Sequence, residues 1–193
     1  LHHHIIEMKE NYTTYSIKPG KVDLVGHSMG GLISRQYISK TPELYDGGVR
    51  KLIMVGTPNH GCTYLDSWAG WAQSQIYGAH KKAGEQLYAK NPLILALNEG
   101  EELGHHLDPN VQYGILYGIG SGMYEQGDIV VSELSARLQG VNSLGYNGRV
   151  HSDVFSSLGS SITSDKDILE QICLWLQEDI PLGEYKNVKI SVY

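Results

Sequence analysis

Ser28 lies in the segment VDLVGHSMGGLISRQYI, where Gly26, Ser28 and Gly30 form a Gly-x-Ser-x-Gly pattern between a predicted strand and a predicted helix. A serine hydroxyl presented at such a junction is placed to attack an acyl carbon. The turn holding it is sharp and strained, and side chains two positions to either side are expected to collide, which accounts for glycine at both positions. The helix that starts after Ser28 aims its first amide N–H groups and its positive dipole end at the reacting centre, so the N–H of Met29 is the expected donor to a developing oxyanion. The chain contains 23 glycines, enough for the bare pattern to arise by chance. Its weight therefore comes from the strand before it and the helix after it. At neutral pH a serine hydroxyl is a weak nucleophile, so it requires a histidine base, and that histidine requires a carboxylate to fix its tautomer.

The elements that must position these groups alternate. Val22 to Val25, after the Pro19-Gly20 turn signal, reads as a buried strand, Leu32 to Ser39 as a helix, and Leu52 to Val55 as the next strand, ending at Gly56-Thr57-Pro58. Strand, helix, strand implies a parallel sheet. Tyr113 to Ile119 is a third strand, Val130 to Leu138 turns into a short helix, and an extended segment ending near Val150 brings the strand count to four. From Ser164 to Asp179 a capped helix carries Ile168, Ile172, Trp175 and Leu176, with Ile180 beyond, at helical spacing, and it should close against the sheet. The first residues, about Leu1 to Asn11, suit one helix. Val188 to Tyr193 suits either an added strand or a disordered end.

With 193 residues and 41% hydrophobic content, the chain is large enough to bury a core as one compact domain. A net charge of −6 spread without basic runs argues against nucleic acid as a partner. Cys62 and Cys173 are too few and too far apart for a disulfide scaffold or a zinc pair. No apolar run approaches the roughly 20 residues that span a bilayer, so a soluble protein is expected, whether secreted or cytoplasmic. His2, His3 and His4 suit a tag remnant, a metal cluster or an exposed helix face, but no second ligand cluster accompanies them and no metal is expected.

The string GHSMGG resembles the α/β-hydrolase superfamily, in particular its lipase and esterase branch, and VRKLIMVGTPNHG resembles the strand and turn that follow the nucleophile helix there. The likeness runs from about Lys21 to Asp179. It implies a mostly parallel sheet flanked by helices and a triad in the chain order serine, acid, histidine. Asp128, in GDIVVS beyond the third strand, matches the acid segment and is the residue chosen for it; a turn or capping role is the competing reading of a Gly-Asp pair, and Asp108 and Glu125 are weaker alternatives for the acid. His151 matches the histidine of the last loop and is the sole histidine after Asp128, so that order excludes His27, His60, His80, His105 and His106. His27 is expected to point away from the serine and pack beside neighbouring loops. Asp153 suits a solvent-facing loop residue better than a cation ligand.

Only 27 residues precede Ser28, too few for the early strands and for the upstream loop that supplies a second oxyanion donor in this superfamily. On the resemblance, the chain reads as the C-terminal part of such a hydrolase. The segment from about 62 to 110 reads as a helical cap inserted between strands, carrying Trp68, Trp71, Ala72 and Ile76 and then Leu87, Tyr88, Leu93, Leu95 and Leu97. Ordinary packing explains such a stripe, and so does an apolar roof over an acyl chain. The activity implied is hydrolysis of lipid or other apolar carboxylic esters through an acyl-enzyme, with no cofactor, and with transient contact to lipid surfaces through the cap. Acyltransferases, thioesterases and amidases share the same three residues, and a non-catalytic relative would bind acyl ligands without turnover.

Overall fold

The computed structural model describes residues 1–16, 18–62, 89–120 and 127–183. Helix α1 (His2–Thr14) is followed by strand β1 (Val22–His27), helix α2 (Met29–Lys40) and strand β2 (Val49–Val55). Helix α3 (Pro92–Leu97), strand β3 (Gln112–Ile119), the single turn α4 (Glu133–Ala136) and strand β4 (Asn142–Asn147) come next. Two short strands, β5 (Arg149–Val150) and β6 (Ser160–Ser161), precede helix α5 (Lys166–Gln177). Strands β1 to β4 form one sheet in that order, with parallel pairing throughout. The predicted cap residues Trp68, Trp71, Ala72, Ile76, Leu87 and Tyr88, together with Glu125 and Val188 to Tyr193, lie outside the described residues.

The burial of each strand follows its place in the sheet. Central strands β2 and β3 are buried along almost their whole length, as parallel strands covered on both faces must be. Outer strands β1 and β4 are mostly half-buried, and Val25 of β1 is exposed. Side chains alternate across the sheet. Leu52 and Met54 of β2, with Tyr113, Ile115 and Tyr117 of β3, meet Ile5 of α1 and Tyr37 and Ile38 of α2. Ile53, Val55 and Leu116 face the other way and meet Ile168 and Trp175 of α5, with Ile162 and Ile180. Helices thus cover both faces. The predicted closing helix forms as expected, with Asp165 as its cap: the carboxylate accepts from the N–H groups of Asp167 and Ile168. Among the described residues no helix is long and apolar enough to cross a membrane.

Two buried cations fasten the layers. Lys51 interrupts the apolar run of β2 and points toward the α5 face, where its ammonium donates to the carbonyls of Trp175 (2.7 Å), Leu176 (3.5 Å) and Glu178 (2.6 Å). The last carbonyls of a helix have no partner of their own and lie at its negative end, so a cation there satisfies both needs. Helix α5 is thereby tied to β2 at the sheet edge remote from Ser28.

Arg35 of α2 does the equivalent at the other end. Its guanidinium donates to Asn59 Oδ1 (3.0 Å), Asn98 Oδ1 (2.8 Å) and the Leu97 carbonyl (2.8 Å). Asn98 Nδ2 donates to the Asn59 carbonyl, and Asn59 Nδ2 to the Ala136 carbonyl, so α2, the turn after β2, α3 and α4 share one buried network. Burial pulls the Arg35 guanidinium down to about 10, with the charge of Glu101 opposing it. Glu101 accepts from His60 Nε2 (2.7 Å) and from the Gln139 N–H (2.9 Å). Burial pushes its carboxyl up, but these bonds and the charges of His60 and His106 outweigh that and leave it below its ordinary value.

Replacing Lys51 with Met leaves buried carbonyls unpaired, and the variant is expected to lose about 3 kcal/mol of stability in urea unfolding. Buried His106 is held down to about 4, chiefly by desolvation, against an ordinary 6.5. Because the unfolded chain takes up this proton first, stability should fall as pH drops from 6.5 toward about 4. Urea midpoints measured across that window should fall less steeply for His106→Phe than for the unaltered protein.

Candidate active site

Ser28 stands between β1 and α2 with φ 54° and ψ −126°, a left-handed backbone that a non-glycine residue adopts only when its surroundings impose it. The imposing contacts are visible. The Ser28 N–H donates to the Val55 carbonyl at the end of β2 (2.9 Å), and the Ser28 carbonyl accepts from the Gly31 N–H (3.1 Å). A Cβ on Gly26 would sit 2.7 Å from the Gly31 nitrogen, so strand and helix approach too closely for any side chain there. At Gly30 a Cβ would meet no heavy atom of the described residues outside its own helix within 4 Å. The crowded position is the next one, where a Cβ on Gly31 would overlap the Thr57 side chain. Glycine spacing around the serine is thus dictated by Thr57 of the neighbouring turn as well as by the bend itself.

Asp128 and His151 arrive from the same end of the sheet. Asp128 is completely buried and fully engaged: Oδ1 accepts from the N–H groups of Val130 (3.1 Å) and Val131 (2.7 Å), while Oδ2 accepts from His151 Nδ1 (2.7 Å). The turn that achieves this bends at Ile129, whose φ of 83° is costly for a β-branched side chain. Tight turn geometry is what places two amides on one carboxylate oxygen. His151 follows β5, is completely buried, and has its Nε2 2.9 Å from Ser28 Oγ. With Nδ1–H donating to Asp128, Nε2 carries the lone pair that faces the serine hydroxyl. Ser28, His151 and Asp128 therefore form a continuous hydrogen-bonded chain. Such a chain can accept the serine proton and hold the resulting imidazolium against a carboxylate.

Other expected residues fall into place around it. Met29 opens α2, so its amide belongs to the first turn, where helical N–H groups lack an intrahelical acceptor. Asp108 accepts from the Asn110 N–H in a local turn, which leaves it a turn former. Asp153 accepts from Ser164 Oγ in an exposed loop. His27 packs beside the loop that follows β5: its ring lies against that of His151 at 4.8 Å, and its Nε2 is 3.0 Å from the His151 carbonyl.

Sequence reasoning overlooked Gly56. This residue, at φ 55° at the end of β2, lies directly behind the acid and histidine: a Cβ there would overlap Ile162 Cδ1 and come within 2.9 Å of Asp128 Oδ2 and 3.2 Å of His151 Nδ1. The Gly56-Thr57-Pro58 string was legible as a turn, but its proximity to residues 72 and 95 positions further on was not. A separate cleft of about 610 Å³, bordered by His60, Asn98, Glu101, Leu134, Arg137 and Leu182, includes none of Ser28, Asp128 and His151.

Residues 1–91 match the family described as PGAP1-like alpha/beta domain. No curated protein matches the sequence. Among solved structures, the mature lipase BlEst2 of Bacillus licheniformis is similar at 22% identity and a TM-score of 0.60, over 89% of this chain and 69% of that one. Its propeptide form is similar at 23% identity and a TM-score of 0.61, over 94% of this chain and 40% of that one. A gene product of Listeria innocua is similar at 17% identity and a TM-score of 0.55, over 93% of this chain and 66% of that one. The chain thus spans about two thirds of the mature lipase and two fifths of its propeptide form. At these identities the likeness establishes the fold.

Gly56→Ala should displace Asp128 and His151 together. The rate at which a fluorophosphonate modifies Ser28 is expected to fall about a hundredfold in that variant, the scale of loss seen when a reacting group is misplaced by an ångström. Time-resolved labelling followed by intact mass measurement checks this.

Proposed function

We propose, from the premise of an α/β-hydrolase fold, that this chain is a serine hydrolase of lipase or esterase type, cleaving carboxylic esters of lipids or other apolar acids. One observation carries the reading: a serine held at a strained strand-to-helix turn, with its oxygen 2.9 Å from a buried histidine that is itself 2.7 Å from a buried aspartate. A serine at φ 54° between a strand and a helix is the geometry in which a nucleophile is presented.

The chemistry balances with these groups alone. As Ser28 Oγ bonds to the ester carbonyl carbon, its proton passes to His151 Nε2, and the carbonyl oxygen becomes an oxyanion facing the first turn of α2, with the Met29 N–H as donor. Asp128 holds the His151 imidazolium in place through Nδ1–H. Collapse of the tetrahedral adduct breaks the bond to the leaving alkoxide, which receives the proton from His151, leaving an acyl-serine. Water then gives its proton to His151 and attacks the acyl carbon. Release of the carboxylic acid returns the proton to Ser28. No cofactor enters the balance.

Support for an apolar ester comes from two directions. The insertion is rich in Trp68, Trp71, Ile76 and Leu87, a composition suited to an acyl chain, and the similar structure from Bacillus licheniformis carries the name lipase. The substrate class and the part played by the insertion rest on those two points.

A fluorophosphonate probe should form an adduct on Ser28, located by peptide mass spectrometry, and the purified chain should hydrolyse a short-chain p-nitrophenyl ester. Ser28→Ala should abolish both, and Asp128→Asn should lower turnover by about ten-thousandfold through the wrong histidine tautomer. A folded protein that neither labels nor turns over would overturn the proposal.

A further inference from the structure

His151 is held at every polar atom it possesses. Its backbone N–H donates to the Asp128 carbonyl (2.9 Å), Nδ1–H donates to Asp128 Oδ2 (2.7 Å), and Nε2 faces Ser28 Oγ (2.9 Å). The fourth atom, its backbone carbonyl, accepts from His27 Nε2 (3.0 Å). Two of these partners belong to residue 128, and the other two are the adjacent residues 27 and 28. A short stretch of chain thus carries both the attacking oxygen and a donor that fixes the backbone of its base.

We propose that His27 is a positioning residue, setting the distance between Ser28 and His151 by anchoring the His151 carbonyl to the strand that ends in the nucleophile. The inference rests on the reading of Ser28 and His151 as nucleophile and base. Geometry is the argument. Residues 27 and 151 are 124 positions apart, and β1 and β5 belong to different sheets, so no strand pairing fixes the gap between them. The His27 bond spans it, and the tilted contact of the two rings, at 4.8 Å, limits rotation of the His151 imidazole about its side-chain bonds. The role requires Nε2 of His27 to carry hydrogen.

Neutrality suits that role. The groups acting on His27 are the desolvating protein surface, then the charge of His151, which both lower its proton affinity, against the carbonyl bond and Asp128, which raise it; the net result lies below the ordinary value. When His151 accepts the serine proton, repulsion between two imidazolium ions keeps His27 in its neutral Nε2–H form. The anchor therefore persists through the proton transfer.

The test pairs two substitutions that divide packing from hydrogen bonding. His27→Phe keeps an aromatic ring against His151 but has no donor, whereas His27→Gln removes the ring and keeps an N–H that reaches a similar distance. With a short-chain p-nitrophenyl ester, His27→Phe should lower kcat by about ten- to a hundredfold with KM little changed, the pattern of a loosened base rather than of lost ester binding. His27→Gln should recover most of that loss. Unaltered kcat in His27→Phe, or a His27→Gln variant as impaired as His27→Phe, would overturn the proposal. Nitrogen-15 spectra of the unaltered protein give a readout that needs no variant to fold. The His27 ring should show its hydrogen on Nε2, and a ring protonated on Nδ1 alone would equally sink the idea. If the unaltered protein fails to label at Ser28 at all, the reading of Ser28 and His151 falls, and the nitrogen spectra still decide whether His27 donates to the His151 carbonyl.

Discussion

The hydrogen bond between Asp128 and His151 is the interaction to which the surrounding structure is fitted. A carboxylate with no exposed surface is expensive unless its oxygens are matched by donors, and here one oxygen takes two backbone N–H groups while the other takes the imidazole. Meeting that requirement bends the chain at Ile129 into a conformation its branched side chain resists. Gly56 leaves the volume in which the carboxylate and the ring meet, and Gly118 of β3 does the same behind the Asp128 Cβ. A parallel sheet makes the meeting feasible, because the ends of β1, β2 and β3 lie side by side, with Ser28 following β1, Gly56 following β2, and Gly120 after β3 bridged to Gly127 beside Asp128.

Rigidity around this pair comes from polar groups placed inside the protein. Arg35 and Lys51 are both almost wholly buried cations, and among the described residues neither faces a carboxylate directly; each is spent on carbonyl and amide oxygens belonging to other elements. Buried charges of this sort add little net stability, but they penalise every arrangement that leaves them unpaired. Their effect is to select one packing. Lys51 registers α5 against β2, and Arg35 registers the turn after β2 against α2 and α3. That turn supplies Thr57, which crowds Gly31, and so the strained serine turn is braced from outside.

Much of the architecture was legible because it is local. Three parallel strands, the helix after Ser28, the short helix near Ser135 and the capped closing helix each follow from apolar runs, spacing and capping residues within a dozen positions, whereas the extended segment read as ending near Val150 divides into β4 (Asn142–Asn147) and β5 (Arg149–Val150). The serine pattern is likewise local. Asp128 and His151 were identified through resemblance and chain order, and the structure sets them 2.7 Å apart. Among the described residues the crowding beyond the helix itself falls at Gly31 rather than at Gly30, because the crowding partner, Thr57, lies on another strand's turn. His27 was expected beside neighbouring loops, and the structure shows which one: the loop after β5 that carries His151.

What the sequence by itself determined was the main strands and helices, their order, and a Gly-x-Ser-x-Gly pattern set between a strand and a helix. These are consequences of steric and hydrophobic rules acting between residues near in the chain. Only the tertiary structure decided which glycine clears space for the acid and histidine, which histidine ring rests on which, and which carbonyls the buried lysine and arginine serve. Those are contacts between residues tens to more than a hundred positions apart. They depend on strand register and helix placement to within an ångström, a precision that periodicity and composition do not carry.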